Sequence, residues 1–549
     1  MLDQTKALSQ QSVTAASTND WDTVFVIGFD DVNTAIEASG NYEDRVDHSQ
    51  SDGTDTATIG GDLSPWEMHG GSGQNVIMRL PMTDFTFDFT GEETFTRSTA
   101  ELLIRVHLDQ IPRKPDDPET DGQLVDFRLA LKNDRGTDAV QVMEFSWPGS
   151  DDEDDPDYDY WQEVIEDTKV LFADWFRKDE ILAQFDTTFC TVHLNRKVGV
   201  ERGFEWLQPT STTYAVRGPQ IGTDEKGSFG ILCMTEDRSA PPNQAVSREI
   251  LGDGKAGLLI NKDRFLEKMI KPGLNILFNR DPDDQDWVHQ NFALSESGTS
   301  ISNTNDIVID NFTLKEGEET TATIPAGTFT ARMEDTYIEI DYQDISHPYY
   351  KMIDYFYNLH HTVKIRAHAD LQDGCFVLEP GAGDPDDDLM SHTASLEKRP
   401  FGKVVDGVLL AMDIIGIVSA IGKGIVAYRT ATGMAAAIPA AAENGAGWLN
   451  TGRALIQNGL HRFTSWIAAH PSLIWLPIVA GVTTFSLGRI KAGFENDAED
   501  SPEEIKPDMQ AFALAAMAPV QWPALEEFQV TDVAFNGGLH ILGDANFNS

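Results

Sequence analysis

The chain has 549 residues, with 41 Lys+Arg against 89 Asp+Glu and a formal net charge of −48. A field of that sign repels DNA, RNA and anionic bilayers, so nucleic acid is not expected among the partners. The length exceeds one ordinary core, and at roughly 150 residues per domain the expectation is two large domains. Cys190, Cys233 and Cys375 are widely spaced and show no CxxC or Cys/His ligand pattern, so neither a disulfide framework nor a zinc site is suggested.

Residues 1–19 lack the basic start and apolar core of a secretory signal; they read as a polar tail, and the protein is expected in the cytoplasm of its producing cell. From Trp21 to Phe29 an apolar strand leads to Asp30 as a cap and to a helix with Val32, Ala35 and Ile36 on one face and Gly40 placed to stop it. After an acidic loop, Gly70, Gly71 and Gly73 lack the GK[ST] of a phosphate loop, which favours a hairpin. Thr83 to Thr90 alternates strictly: Phe85, Phe87 and Phe89 share one face, and Asp84, Thr86 and Asp88 the other. Leu102, Ile104, Val106 and Leu108 repeat that pattern, and the following text reads as two strands around an Asn133-to-Gly136 turn, extending an antiparallel meander.

The run Asp151 to Asp159 lacks the spaced ligands and terminal glutamate of a calcium loop and reads as a solvated acidic loop. Tyr160 to Phe185 is broadly amphipathic helical text with a break expected near Lys178. Three strand texts follow, and Arg238 to Arg248 has the composition of a linker.

Asp253 to Asn279 repeats the opening unit. Gly257 to Ile260 is a strand, Asn261 can cap, and Phe265, Leu266, Met269 and Ile270 line one helix face before Pro272-Gly273 bends it. Strand, cap and helix thus occur twice, about a domain apart, as in a weak internal duplication. His360, His361 and His368 lie in alternating strand text without an HExxH or a carboxylate cluster, so they are assigned no chemistry. The apolar, Ala/Gly-rich section 404–493 is interrupted by Asp406, Asp413, Lys423 and Pro477, which predicts folded helices and not a constitutive membrane anchor. The last residues return to strands that close the sheet.

The texts DWDTVFVIGFDDVNTAI, WEMHGGSGQNVIMRLPM, FEWLQPTSTTYAV, GLLINKDRFLEKMIKPGLNILFN and AFNGGLHILGD together resemble the clostridial neurotoxin-cluster accessory family, the forty-seven-kilodalton protein and its ORF-X relatives. The resemblance implies an α+β fold of two tandem TULIP-like units, each a curved antiparallel sheet around a long helix. The units are placed at 20–250 and 251–549, the second including section 404–493. It brings no catalytic residues, cofactor or metal, and the chain has no GxSxG, HExxH, CxxC or dinucleotide fingerprint, so a non-enzymatic role is expected. Two functions follow from the resemblance. One is an accessory protein of a toxin gene cluster that binds lipid or another hydrophobic ligand in a tubular groove, released with a toxin complex by a non-classical route. The other is an assembly module that partners toxin-cluster proteins without lipid. Phe85, Phe87, Phe89, Phe265, Leu266, Met269 and Ile270 would line such a groove or fill it as core.

Overall fold

The computed structural model describes residues 15–398, apart from 41, 114–122, 130–139, 186, 196–204, 221–225, 253, 279–283, 314–318, 350–351, 371–374 and 381–389, and residues 519–547 apart from 523–524. Strand β1 (Thr23–Gly28) runs directly into helix α1 (Phe29–Ser39). Next come β2 (Arg45–Ser51), β3 (Thr56–Leu63), β4 (Glu67–Gly73), β5 (Asn75–Phe89) and β6 (Phe95–Val106). β7 (Leu108–Arg113), β8 (Gln123–Leu129) and β9 (Val140–Ser146) precede helix α2 (Tyr158–Trp175). β10 (Thr188–Leu194), β11 (Pro209–Arg217) and β12 (Ser228–Thr235) end the first half. The second half opens on β13 (Ala256–Asn261) and continues through β14 to β22, from Phe292–Leu294 to Met390–Lys398. It finishes with β23 (Val520–Gln521), β24 (Leu525–Phe535) and β25 (Gly538–Phe547). The protein is therefore α+β and dominated by sheet.

Every described strand pairing is antiparallel, in sheets of twelve, four and nine strands. The twelve-stranded sheet ends in the order β11-β12-β1-β13-β25-β24, which is a palindrome in the roles its strands play in the two halves. The two opening strands pair with each other, Phe25 opposite Leu258, and each is flanked on its other side by the closing hairpin of its own half. The central strands are apolar throughout because both of their faces are covered. Phe25 and Ile27 face the main core, whereas Val24 and Val26 belong to a second cluster with Trp21, Val246, Ile250 and Leu251.

That second cluster corrects two expectations. The stretch read as a linker carries Val246 into the cluster and accepts a hydrogen bond from Trp21 Nε1 at Asn243 O, so it is a packed cover for the sheet. Ala16 and Thr18, within the stretch read as a tail, are buried as well. Gly257 of β13 is required here, since a Cβ would stand 2.0 Å from the Ile250 carbonyl of this cover.

Other local readings meet the structure with differences. Gly28, not Asp30, is the α1 cap; Asp30 and Asp31 stand in the first turn, where they complement the positive end of the helix. Gly40 does end it, in the left-handed region at φ 63°. The glycines of β4 form a hairpin with β5. The strands read as one hairpin around residues 133–136 go to different sheets: β9 pairs β6, and β8 lies between β7 and β10. Alternation identifies strands but does not reveal their partners. After β13 the expected single helix is split into an α turn Lys262–Phe265, a π turn Leu266–Ile270, a 3-10 turn Lys271–Gly273 and an α turn Leu274–Leu277. Pro272 has no N–H to continue an α-helical ladder, and the break follows from it. β25 closes the central sheet against β13. Section 404–493 lies outside the described residues, and among those described no helix is long and apolar enough to cross a membrane.

Candidate functional site

The inner faces of β5, β6 and β9 bring alternate aromatic residues together, and α2 lies across them. Phe85 meets Phe145 at 4.8 Å between ring centroids, and Phe145 meets Phe172 of α2 at 5.9 Å. The rings continue through Trp175 to Phe185 and on to Trp66 at 5.1 Å. From Trp66 the path crosses to the four-stranded sheet at Phe189, 5.9 Å away, and back to the large sheet at Phe229, 6.3 Å further. It ends at the central seam, where Trp522 lies 5.4 Å from Phe229 and 5.9 Å from Phe25. A connected aromatic interior thus runs the length of the first half. Such edge-on and tilted pairs suit the ring quadrupoles and add to the burial of apolar surface.

Polar atoms inside this interior are few and some have no partner. Among the described residues, the indole N–H groups of Trp66 and Trp522 have no acceptor although they are buried, and the buried Thr168 hydroxyl on α2 has no partner. A buried donor left unmade costs about 1–3 kcal/mol. Tyr214 is satisfied: it donates to Gln74 O at 2.7 Å and accepts from Leu108 N at 2.9 Å, and burial pushes its hydroxyl up to about 12. The thiols of Cys190 and Cys233 are free, and burial pushes both up, which makes them poor nucleophiles.

Two charged groups close the interior at the outer end and at the seam. Arg97 lays its guanidinium over Phe95 at 4.0 Å and near Trp147 and Trp161 at 4.9 and 5.3 Å. At the seam, Arg264 is 2% exposed and donates to Glu236, Glu267 and the Trp206 carbonyl. Asp22, fully buried beside it, accepts from the Thr235 N–H and hydroxyl at 2.8 and 2.9 Å and pairs with Arg238. Burial raises the Asp22 carboxyl above its usual range, and the Thr235 bonds and the two arginines offset only part of that. Glu236, against the upward push of burial, is held below its usual range by Lys268 and Arg264.

The residues selected from sequence fall into two groups. Phe85 and Phe87 are buried in the aromatic interior, and Phe89 is half-buried at its margin. Phe265, Leu266, Met269 and Ile270 are buried in the same continuous core but beyond the seam, where Phe265 meets Phe535 at 5.4 Å. Sequence reading missed Trp66, Phe189, Phe229 and Trp522 as members of one site; their strands were legible, but their convergence was not. Among the described residues no group of three metal-ligating side chains comes together, and the side chains of the three selected histidines lie outside the description.

A family profile described as OrfX-like, Protein OrfX2/OrfX3/P47, matches residues 18–365. The chain belongs to the OrfX-like family. Protein OrfX3 of Clostridium botulinum (strain Kyoto / Type A2) is 25% identical over 293 residues, 49% of this chain and 56% of that protein. Protein OrfX3 of Paraclostridium bifermentans is 26% identical over 304 residues, covering 51% of this chain and 58% of that one. This OrfX-like chain therefore spans a little over half the length of the curated relatives it matches. Its fold resembles the crystal structure of P47 of Clostridium botulinum E1, with a TM-score of 0.54 and 15% identity over 96% of this chain and 99% of that one.

Proposed function

We propose that this OrfX-like protein is a non-enzymatic accessory protein of a bacterial toxin gene cluster, built from two tandem TULIP-like units, 20–250 and 251–549, and that it holds a lipid or another hydrophobic ligand in the interior of the first unit, closed at the seam by Trp522 of the second. The palindromic central sheet supports the tandem reading, because each half places its opening strand at the seam beside its own closing hairpin. The observation that carries the ligand reading is the aromatic interior with unpaired Trp66 and Trp522 donors inside it. Its apolar rings suit an acyl chain, and the indole N–H groups suit an ester or carboxyl oxygen of the same molecule.

Native mass spectrometry of the purified protein, followed by titration with a fluorescent acyl probe, tests this. The expected result is a co-purifying lipid mass and probe uptake that Trp66→Phe weakens about fivefold to tenfold, the effect of one lost hydrogen bond. A clean apo mass with no probe uptake would sink the ligand reading and leave the assembly role.

A further inference from the structure

Among the described residues, His48 is the one histidine that ties α2 to the sheet it covers. It sits on the edge strand β2 with its side chain only 2% exposed, opposite the uncharged Ile59 of β3. Its Nε2 donates to Asp174 Oδ2 at 3.1 Å, and its Nδ1 accepts from Lys178 Nζ at 2.9 Å. Both nitrogens of a neutral imidazole are therefore used, in a single tautomer. A second proton has only Nδ1 to bind, and there it would replace an accepted hydrogen bond with two cations in contact. Asp174, on the far side of the ring, can balance one of those charges but not both.

The other end of α2 is held differently. There Arg97 lies over Phe95, Trp147 and Trp161, and neither the guanidinium nor the rings change charge in mild acid. Between the two ends, Leu171, Phe172 and Trp175 cover the aromatic interior.

We propose that the Lys178–His48–Asp174 contact is an acid-released latch: protonation of His48 frees the C-terminal end of α2, which pivots on its Arg97 end and opens the aromatic interior to a hydrophobic ligand. The opening role rests on the ligand reading above; the latch itself does not. Burial first, and then the Lys178 charge, hold the His48 imidazole below its ordinary 6.5, and the Asp174 bond offsets only part of this. The latch is accordingly complete above about 6.5 and weakens as the pH falls through the depressed value of the closed form.

Hydrogen–deuterium exchange of the full chain without ligand, corrected for intrinsic rates, tests the latch. Between about pH 7.5 and about pH 5, protection of the C-terminal turn of α2 should fall about tenfold while Val164 and Ile165 change little. His48→Gln keeps a donor and an acceptor without a titrating ring, and its profile should be flat. Lys178→Met leaves a protonated His48 still buried but paired with Asp174 alone, and its loss of protection should be clearly smaller than that of wild type; it decides the matter if His48→Gln does not fold. An equal loss in wild type and variants, or no loss in wild type, would overturn the latch. Acyl-probe uptake at both pH values separates the two ideas. Release without uptake removes the ligand reading and the opening role with it, whereas uptake with unchanged exchange removes the latch alone.

Discussion

Residues 23–39 and 256–277 share a pattern, an apolar strand that turns at once into a helix, yet the two helices end up in different surroundings. α1 is regular and buries Phe29, Val32, Ala35 and Ile36; its Asp30 stays in water and pairs with Lys226 where the two side chains are 73% and 68% exposed. The second helix is broken into short turns and buries Phe265, Leu266, Met269, Ile270 and Leu274, together with Arg264. Depth decides what a charge must do. On α1 the ion pair is screened by solvent, whereas at the seam Arg264 needs Glu236, Glu267 and Asp22 around it to be held out of water at all.

Truncating the two cations should separate these settings most widely. Arg264→Ala leaves the buried Asp22 with less compensation and strips Glu236 of a partner, at a cost of about 3–5 kcal/mol. Lys226→Ala should stay within about 0.5 kcal/mol. Urea denaturation midpoints at neutral pH measure both, and equal shifts would break the comparison. The apolar sides differ less. Met269→Ala should cost about 2–5 kcal/mol, and Ile36→Ala a value near the low end of that range, because α1 is covered on one face only. A larger loss at Ile36 would mean that the seam is the looser of the two.

The smallest effect concerns Asp31, in the first turn of α1. Burial pushes its carboxyl up to about 6, against the Lys255 charge and with help from Asp30. Since the folded value lies above the ordinary 3.8, the favourable contribution belongs to the protonated form and is lost as pH rises through about 6. Asp31→Asn should therefore raise the denaturation midpoint near pH 7 and leave it unchanged near pH 3.5. A fall at neutral pH would show that the Lys255 charge outweighs burial.

What could be read from the sequence follows how local each feature is. The alternation of Phe85 and Phe87, the Asn261 cap, which accepts from Asp263 N at 3.2 Å, and the break after α2 near Lys178 all depend on neighbours a few residues away. The aromatic site does not: Trp522 reaches Phe25 and Phe229 from nearly 300 residues or more away in the chain, and no periodicity records that. His48 lies in RVDHSQS, polar text in which nothing marks one side chain as buried, and its partners come from a helix end 126 and 130 positions on. The split of β8 and β9 between two sheets is equally hidden, because pairing depends on what the rest of the chain leaves unpaired.

The place of β1 at the centre of the palindrome has a cost during synthesis. It is made before both of its partners: β12 follows some 200 residues later, and β13 later still. At roughly 5–20 residues per second, β1 waits on the order of 10–40 s for its first neighbour, apolar on both faces and with open hydrogen-bonding edges. β13 then waits longer still for β25. Closure through such distant pairings is slow, and a half-made chain is a template for pairing with another half-made chain. Yield in a heterologous host should therefore depend on translation speed and chaperone supply more than on the stability of the finished fold.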